Sequence, residues 1–150
     1  MKLSEALIIR GDLQKRVQQI KSRLIANAKV QEGDKTIEDP NEIMAELNQT
    51  LKDLCEIIKR INLTNSKITD GEKTMTELLA DRDSLTMKIN ICQEFLETAR
   101  TKIDRYSNKE IKIFSSVDVK EEQTKLDKLS KELRELDVKI QSLNWQSDLI

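Results

Sequence analysis

Apolar residues recur along most of this chain in steps of three and four, the spacing that places them on one face of an α-helix. The first run is Leu3, Ala6, Arg10, Leu13, Val17, Ile20, Leu24 and Asn27, and it predicts a helix over residues 3–30. Gly11 lies inside that run and should weaken the helix by about 1 kcal/mol relative to Ala. A break follows at Glu32, Gly33 and Asp34. Asp39, Pro40 and Glu42 then mark a helix start: a capping carboxylate, a proline suited to the first helical position, and a glutamate able to reach back. The stripe Met44, Leu47, Leu51, Leu54, Ile58, Ile61 and Asn65 predicts this second helix over 40–66, and Thr69, Asp70 and Gly71 supply the turn after it.

Thr74 with Glu77 forms a capping box ahead of a third helix, predicted over 75–105 on Met75, Leu78, Arg82, Leu85, Ile89, Cys92, Leu96, Ala99, Ile103 and Tyr106. Asp118 with Glu121 opens a fourth, predicted over 119–145 on Val119, Leu126, Leu129, Leu133, Leu136, Ile140 and Leu143. Between them, Ile111–Phe114 has β character, and a short strand pair with Lys35–Ile37 is expected. Four helices of similar length bury their stripes by packing up-down-up-down. The expected fold is all-α, an elongated antiparallel four-helix bundle with coiled-coil-like heptad packing, forming one domain over residues 1–150. Its expected core holds Leu13, Val17, Ile20, Leu51, Leu54, Ile58, Leu85, Ile89, Leu96, Leu129, Leu133 and Leu136. The rival architecture is an intermolecular coiled coil, because heptad spacing does not say which chain supplies the partner helix.

Composition narrows the function. The 150 residues are 37% hydrophobic and 35% charged, with a formal net charge of −1, enough apolar content for one core. Lys and Arg divide evenly between the halves, so no basic arm exists to displace counterions, and aromatics at 3% provide no stacking platform. No nucleic-acid partner is expected. The longest apolar run, Ala6–Ile9, is too short for a signal-peptide core or a membrane span, so no membrane association is expected either. Cys55 and Cys92 fall about four to six residues out of register in a hairpin turning near Asp70, too far for a disulfide at about 1.5 Å per residue. Reduced thiols point to the cytoplasm.

The chain has no histidine, which removes the commonest general base and metal ligand and, with them, serine or cysteine triads, zinc proteases and di-iron bundles. Gly11, Gly33 and Gly71 are isolated, so no phosphate-cradling loop exists. The carboxylate pairs Asp81 with Asp83 and Glu121 with Glu122 are near neighbours in a helix and do not face one another. The basic run Arg100, Lys102, Arg105, Lys109 and Lys112 complements the dipole at the end of the third helix. The expectation is a non-enzyme without cofactor or metal.

Arg10, Asn65 and Arg82 interrupt otherwise apolar stripes, and an antiparallel bundle brings them to one end together with Asn62, Asp81, Asp83, Asn144 and Trp145. One reading is a polar layer in which Asp81 or Asp83 neutralises an arginine and fixes the helix register. The other is a small-anion site made of Arg10, Asn62, Asn65 and Arg82, with the two guanidiniums as forks.

Several stretches carry a family resemblance. Ala6–Arg10, Asp12–Arg16 and Asn27–Gly33, then Glu38–Pro40, Arg60–Asn62 with Thr64 and Asn65, Tyr106 and Ser107 with Glu110–Lys112, Val117–Val119, Arg134–Asp137, and Asn144 with Trp145, resemble a small bacterial helical family labelled septicolysin, a domain of unknown function. The label implies a membrane-active cytolysin and assigns no site residues. The stripes are narrow enough to be consumed by helix packing, leaving no strongly amphipathic surface for lipid. The function expected from the residues is a cytoplasmic helical scaffold or protein-interaction module, its partner another protein or a second copy of itself.

Overall fold

A computed structural model describes residues 1–101 and 112–150. The fold is all-α, with four helices among the described residues: α1 (Leu3–Ala26), α2 (Pro40–Lys67), α3 (Met75–Arg100) and α4 (Val119–Gln146). The starts agree with the capping signals. Asp39 accepts a hydrogen bond from the Asn41 amide at 2.9 Å, and Asp118 accepts from the amides of Lys120 and Glu121 at 3.0 and 3.2 Å, which satisfies donors that a helix start leaves without partners. Gly33 and Gly71, at φ +85° and +106°, occupy the two loops where the left-handed region is required. Helix α1 ends four residues before the predicted boundary. There the Asn27 side chain donates to the Arg23 carbonyl at 2.9 Å and accepts the Glu38 amide at 3.0 Å, fastening the loop where the helix would otherwise continue. The predicted extension of α3, with Ile103 and Tyr106, lies outside the described residues.

The helices pack in pairs, within two compact units. The first unit comprises Met1–Met75 and Ser142–Ile150, the second Thr76–Gln141. In the first, α1 runs antiparallel to α2, with Arg23 near the end of α1 paired to Glu38 and Glu46 near the start of α2. Its buried residues include Leu3, Ala6 and Ile20 of α1 and Ile43, Ile57 and Ile61 of α2. In the second, α3 runs antiparallel to α4: Arg100 donates to the Gln123 carboxamide, and Ile89, Leu96 and Leu126 form a core flanked by Leu85, Cys92, Val119, Leu129 and Leu133.

The stripes predicted for α1 and α4 are the buried and half-buried positions, as are the described ones of α3. Helix α2 requires a correction. Its inward face is Ile43, Leu47, Thr50, Leu54, Ile57, Ile61 and Thr64, while Met44 and Leu51 are each 43% exposed. Two threonines sit on that face because their hydroxyls are satisfied inside the helix, donating to the Glu46 and Arg60 carbonyls at 2.9 and 2.8 Å, so the polar atom is buried without loss of a hydrogen bond. Of the other residues expected in the core, Ile20, Ile89 and Leu96 are buried, whereas Leu13, Val17, Leu54, Ile58, Leu85, Leu129, Leu133 and Leu136 are half-buried. The strand pair is also corrected: Lys35–Ile37 and 112–114 adopt no strand, Ile111 lies outside the described residues, and the isolated bridges among the described residues are Lys2–Asp148 and Thr69–Thr74.

Candidate functional site

The four residues of the expected anion site divide between the units. Arg10, Asn62 and Asn65 belong to the first, on α1 and α2, and Arg82 to the second, on α3. Arg10 is half-buried, and its Nε is shut away from solvent without a hydrogen-bond partner. Asn62 is exposed and Asn65 half-buried. Arg82 meets the carboxylate of its neighbour Asp83 at 3.2 Å, a solvent-facing pair of little energetic weight. Asn144 is buried in the first unit and Trp145 is exposed. Both cysteines are free thiols.

A charged cluster that the stripes did not single out fastens the first unit. Arg23 forms a two-pronged contact with Glu38, Nε to Oε2 at 3.1 Å and Nη2 to Oε1 at 2.7 Å, and reaches Glu46 through Nη1 at 2.9 Å. Arg16 adds a contact to Glu46 at 3.2 Å. Planar forks suit this bidentate geometry. The guanidinium of Arg23 holds both carboxyls below their ordinary range, by hydrogen bonding first, and the pairing raises its own pKa further. The sign of the pH effect follows. Depressed carboxylates contribute stability that is complete above their unfolded pKa of about 4.3 and is lost as pH falls through the folded value. Urea unfolding at pH 7 and pH 3 should therefore show a larger acid loss in the wild type than in Arg23→Met, and equal losses would refute the coupling. The seven-residue spacing of Arg16 and Arg23 beside the α1 seam was the sequence signal for this cluster.

A second fastening closes the opposite end of the same unit. The Leu3 amide donates to the Ser147 carbonyl at 3.0 Å and the Leu149 amide to the Met1 carbonyl at 2.9 Å. Lys2 pairs with Asp148 at 2.8 Å, the Ile150 amide donates to the Thr64 hydroxyl at 3.0 Å, and Arg60 Nε donates to the Ile150 carbonyl oxygen at 3.0 Å. The segment after α4 thereby satisfies a free amide at the start of α1 and ties it to the last turns of α2.

The second unit holds most of α3 and α4. Its hairpin carries a groove of about 330 Å³ with a floor of Cys92, Leu96, Leu126 and Leu129, a wall formed by Phe95, and a rim of lysines and glutamates. Beside it, Ile91 is 66% and Phe95 46% exposed, and Met87 is exposed on the adjoining turn. The stripes that α3 and α4 bury against each other leave these flanking apolar residues in solvent. Among the described residues no group of acidic, cysteine or histidine side chains could hold a metal ion, and no helix is long and apolar enough to cross a membrane. An apolar face with a charged rim has the composition of a protein contact surface.

Comparison with known proteins agrees with the helical reading and supplies no activity. A crystal structure described as that of a functionally unknown conserved protein from Corynebacterium diphtheriae is similar over 100% of this chain and 99% of its own, with 39% sequence identity and a TM-score of 0.92. No curated protein matches. Residues 10–149 match the model described as a family of unknown function, DUF6847. A helical family of unknown function is thus what the resemblance read in the sequence amounts to, and the septicolysin label is supported by neither match. The chain belongs to the DUF6847 family.

Proposed function

We propose that the chain is a non-enzymatic helical interaction module that works in the cytoplasm and presents the α3/α4 face to a protein partner. The observation carrying this reading is the apolar groove beside exposed Ile91 and Phe95. Such a cluster is unfavourable in water unless covered, and a stable contact needs an apolar centre inside a polar rim. The two free thiols support a reducing compartment. The absence of histidine leaves acid–base and nucleophilic chemistry without its usual residue. The test is capture from native extract with the tagged wild type and with Ile91→Glu/Phe95→Glu. Proteins retained by the wild type and lost by a variant of unchanged helicity support the reading. Identical capture by both removes it, as does capture by neither when the chain also fails to associate with itself.

We propose that the two units form one folding domain. The chain passes between them at Met75/Thr76, the start of α3, and at Gln141/Ser142, inside α4, and the second crossing is an unbroken helix rather than the exposed linker that joins independent domains. Thermal unfolding should accordingly show one transition by circular dichroism and calorimetry, and two resolved transitions would separate the units.

A further inference from the structure

We infer that the partner of the α3/α4 face is a second copy of this chain, paired about a two-fold axis with its α4 antiparallel to the first. The inference rests on the reading of that face as a contact surface and adds the identity of the occupant. Along α4, Glu121, Lys125, Lys128, Glu132, Glu135 and Lys139 follow steps of four and three, so they form one stripe, and all six are exposed. The stripe borders the groove, whose rim includes Lys125, Lys128 and Glu132. Positions equidistant from Ser130 carry opposite charges: Lys128 and Glu132, Lys125 and Glu135, Glu121 and Lys139. In a two-fold contact residue i of one copy meets j of the other and j meets i. An antiparallel α4 pair centred near Ser130 therefore sets each of the six charges against its opposite.

Parallel pairing would align like charges, so the stripe also specifies orientation, as charges flanking the seam of paired helices do. The same charges make intrahelical contacts, Lys125 to Glu122 at 3.1 Å and Lys131 to Glu135 at 4.0 Å, but exposed pairs of that kind are weak and exchange partners readily. Size agrees as well. Helix α3 has 26 residues, and at about 1.5 Å per residue a two-helix face about 20 Å wide offers roughly 800 Å², the share per partner of a standard stable complex. The groove floor and the Ile91 and Phe95 side chains then lie under the second hairpin, and two hairpins complete a four-helix arrangement in trans.

The test is sedimentation of the full chain over a concentration series, with two charge variants. The wild type should form a dimer, and Lys125→Glu/Lys128→Glu, which sets like charges opposite at four places, should raise the dissociation constant about 100-fold. Reversing the partners too, in Lys125→Glu/Lys128→Glu/Glu132→Lys/Glu135→Lys, should restore pairing with itself. Differently tagged wild-type and reversed chains should not co-purify. Recovery of self-association also guards against misfolding, because an unfolded chain would not regain it. A wild type that stays monomeric on the order of 100 μM, or a dimer indifferent to the charge variants, overturns the proposal. If the copy pairing fails while capture from extract still depends on Ile91 and Phe95, the contact-surface reading survives with another partner. If both fail, both readings are lost.

Discussion

Ile61→Ala is expected to destabilise the protein by about 2–5 kcal/mol, whereas Leu51→Ala should cost under about 1 kcal/mol. The two residues lie on one helix and differ in where the packing puts them. Ile61 is 1% exposed on the inward face of α2, in the unit that also buries Leu3, Ala6 and Ile20. Truncation there loses the transfer energy of the missing carbons and leaves a cavity that close-packed neighbours fill only in part. Leu51 belongs to the stripe that periodicity alone selects, yet it faces solvent, so its truncation opens no cavity. Urea unfolding of the two variants, compared at equal m-value, measures the difference. Equal losses would return the seam to Met44, Leu51 and Ile58.

Removing Ser147–Ile150 is expected to cost about 2–5 kcal/mol, the second large effect. The segment carries four hydrogen bonds to residues 1–75, through the Leu3 amide, the Met1 carbonyl, the Thr64 hydroxyl and Arg60. Each contributes about 1 kcal/mol net. The Lys2–Asp148 pair adds little, since both side chains are well exposed. A single substitution isolates part of this. The Thr64 hydroxyl donates to the Arg60 carbonyl and accepts the Ile150 amide, so Thr64→Val keeps the shape and removes both contacts, at about 1–3 kcal/mol. A shortened chain as stable as the full one would show that these bonds add nothing beyond what water provides.

Much of this architecture was legible because helix starts and stripes are local signals. Asp39 with Pro40 and Asp118 fixed the starts of α2 and α4, and glycines at positive φ fixed two loops, each through chemistry contained in a few neighbouring residues. Three-four spacing placed the inward faces of α1, α3 and α4. It failed on α2, where Leu51 and Met44 are more apolar than Thr50 but Thr50 can return its hydroxyl to the helix backbone, and hydrophobicity alone does not register that option. The end of α1 was misplaced for a different reason. Asn27 stops the helix through a bond to the Glu38 amide, eleven residues along, and such a contact exists only once the loop has folded. Lys35–Ile37 and the run before Val117 looked strand-like from residue type, but a strand needs a partner ladder, and none forms in the described residues.

The candidate site was less legible. Arg10, Asn65 and Arg82 stood out as polar interruptions, with Asn62 at the same end, a criterion that finds residues out of place in a core and passes over residues that are properly exposed. The contact face has the opposite signature: Ile91 and Phe95 are apolar where solvent is expected, and the α4 charges look like ordinary helix surface until their signs are compared about Ser130. That comparison needs knowledge of which stripe borders the groove, and only the packed hairpin provides it.

The central claim, that the α3/α4 face is the functional surface, is tested most directly by hydroxyl-radical footprinting of the tagged chain in native extract and after dilution of the purified protein. Phe95, which lines the groove, reports on that face, and Met44 and Trp145, exposed in the first unit, serve as internal references. The account predicts that Phe95 is protected in extract and becomes reactive on dilution, while Met44 and Trp145 react alike in both. Unchanged reactivity of Phe95, or protection confined to Met44 and Trp145, would contradict it.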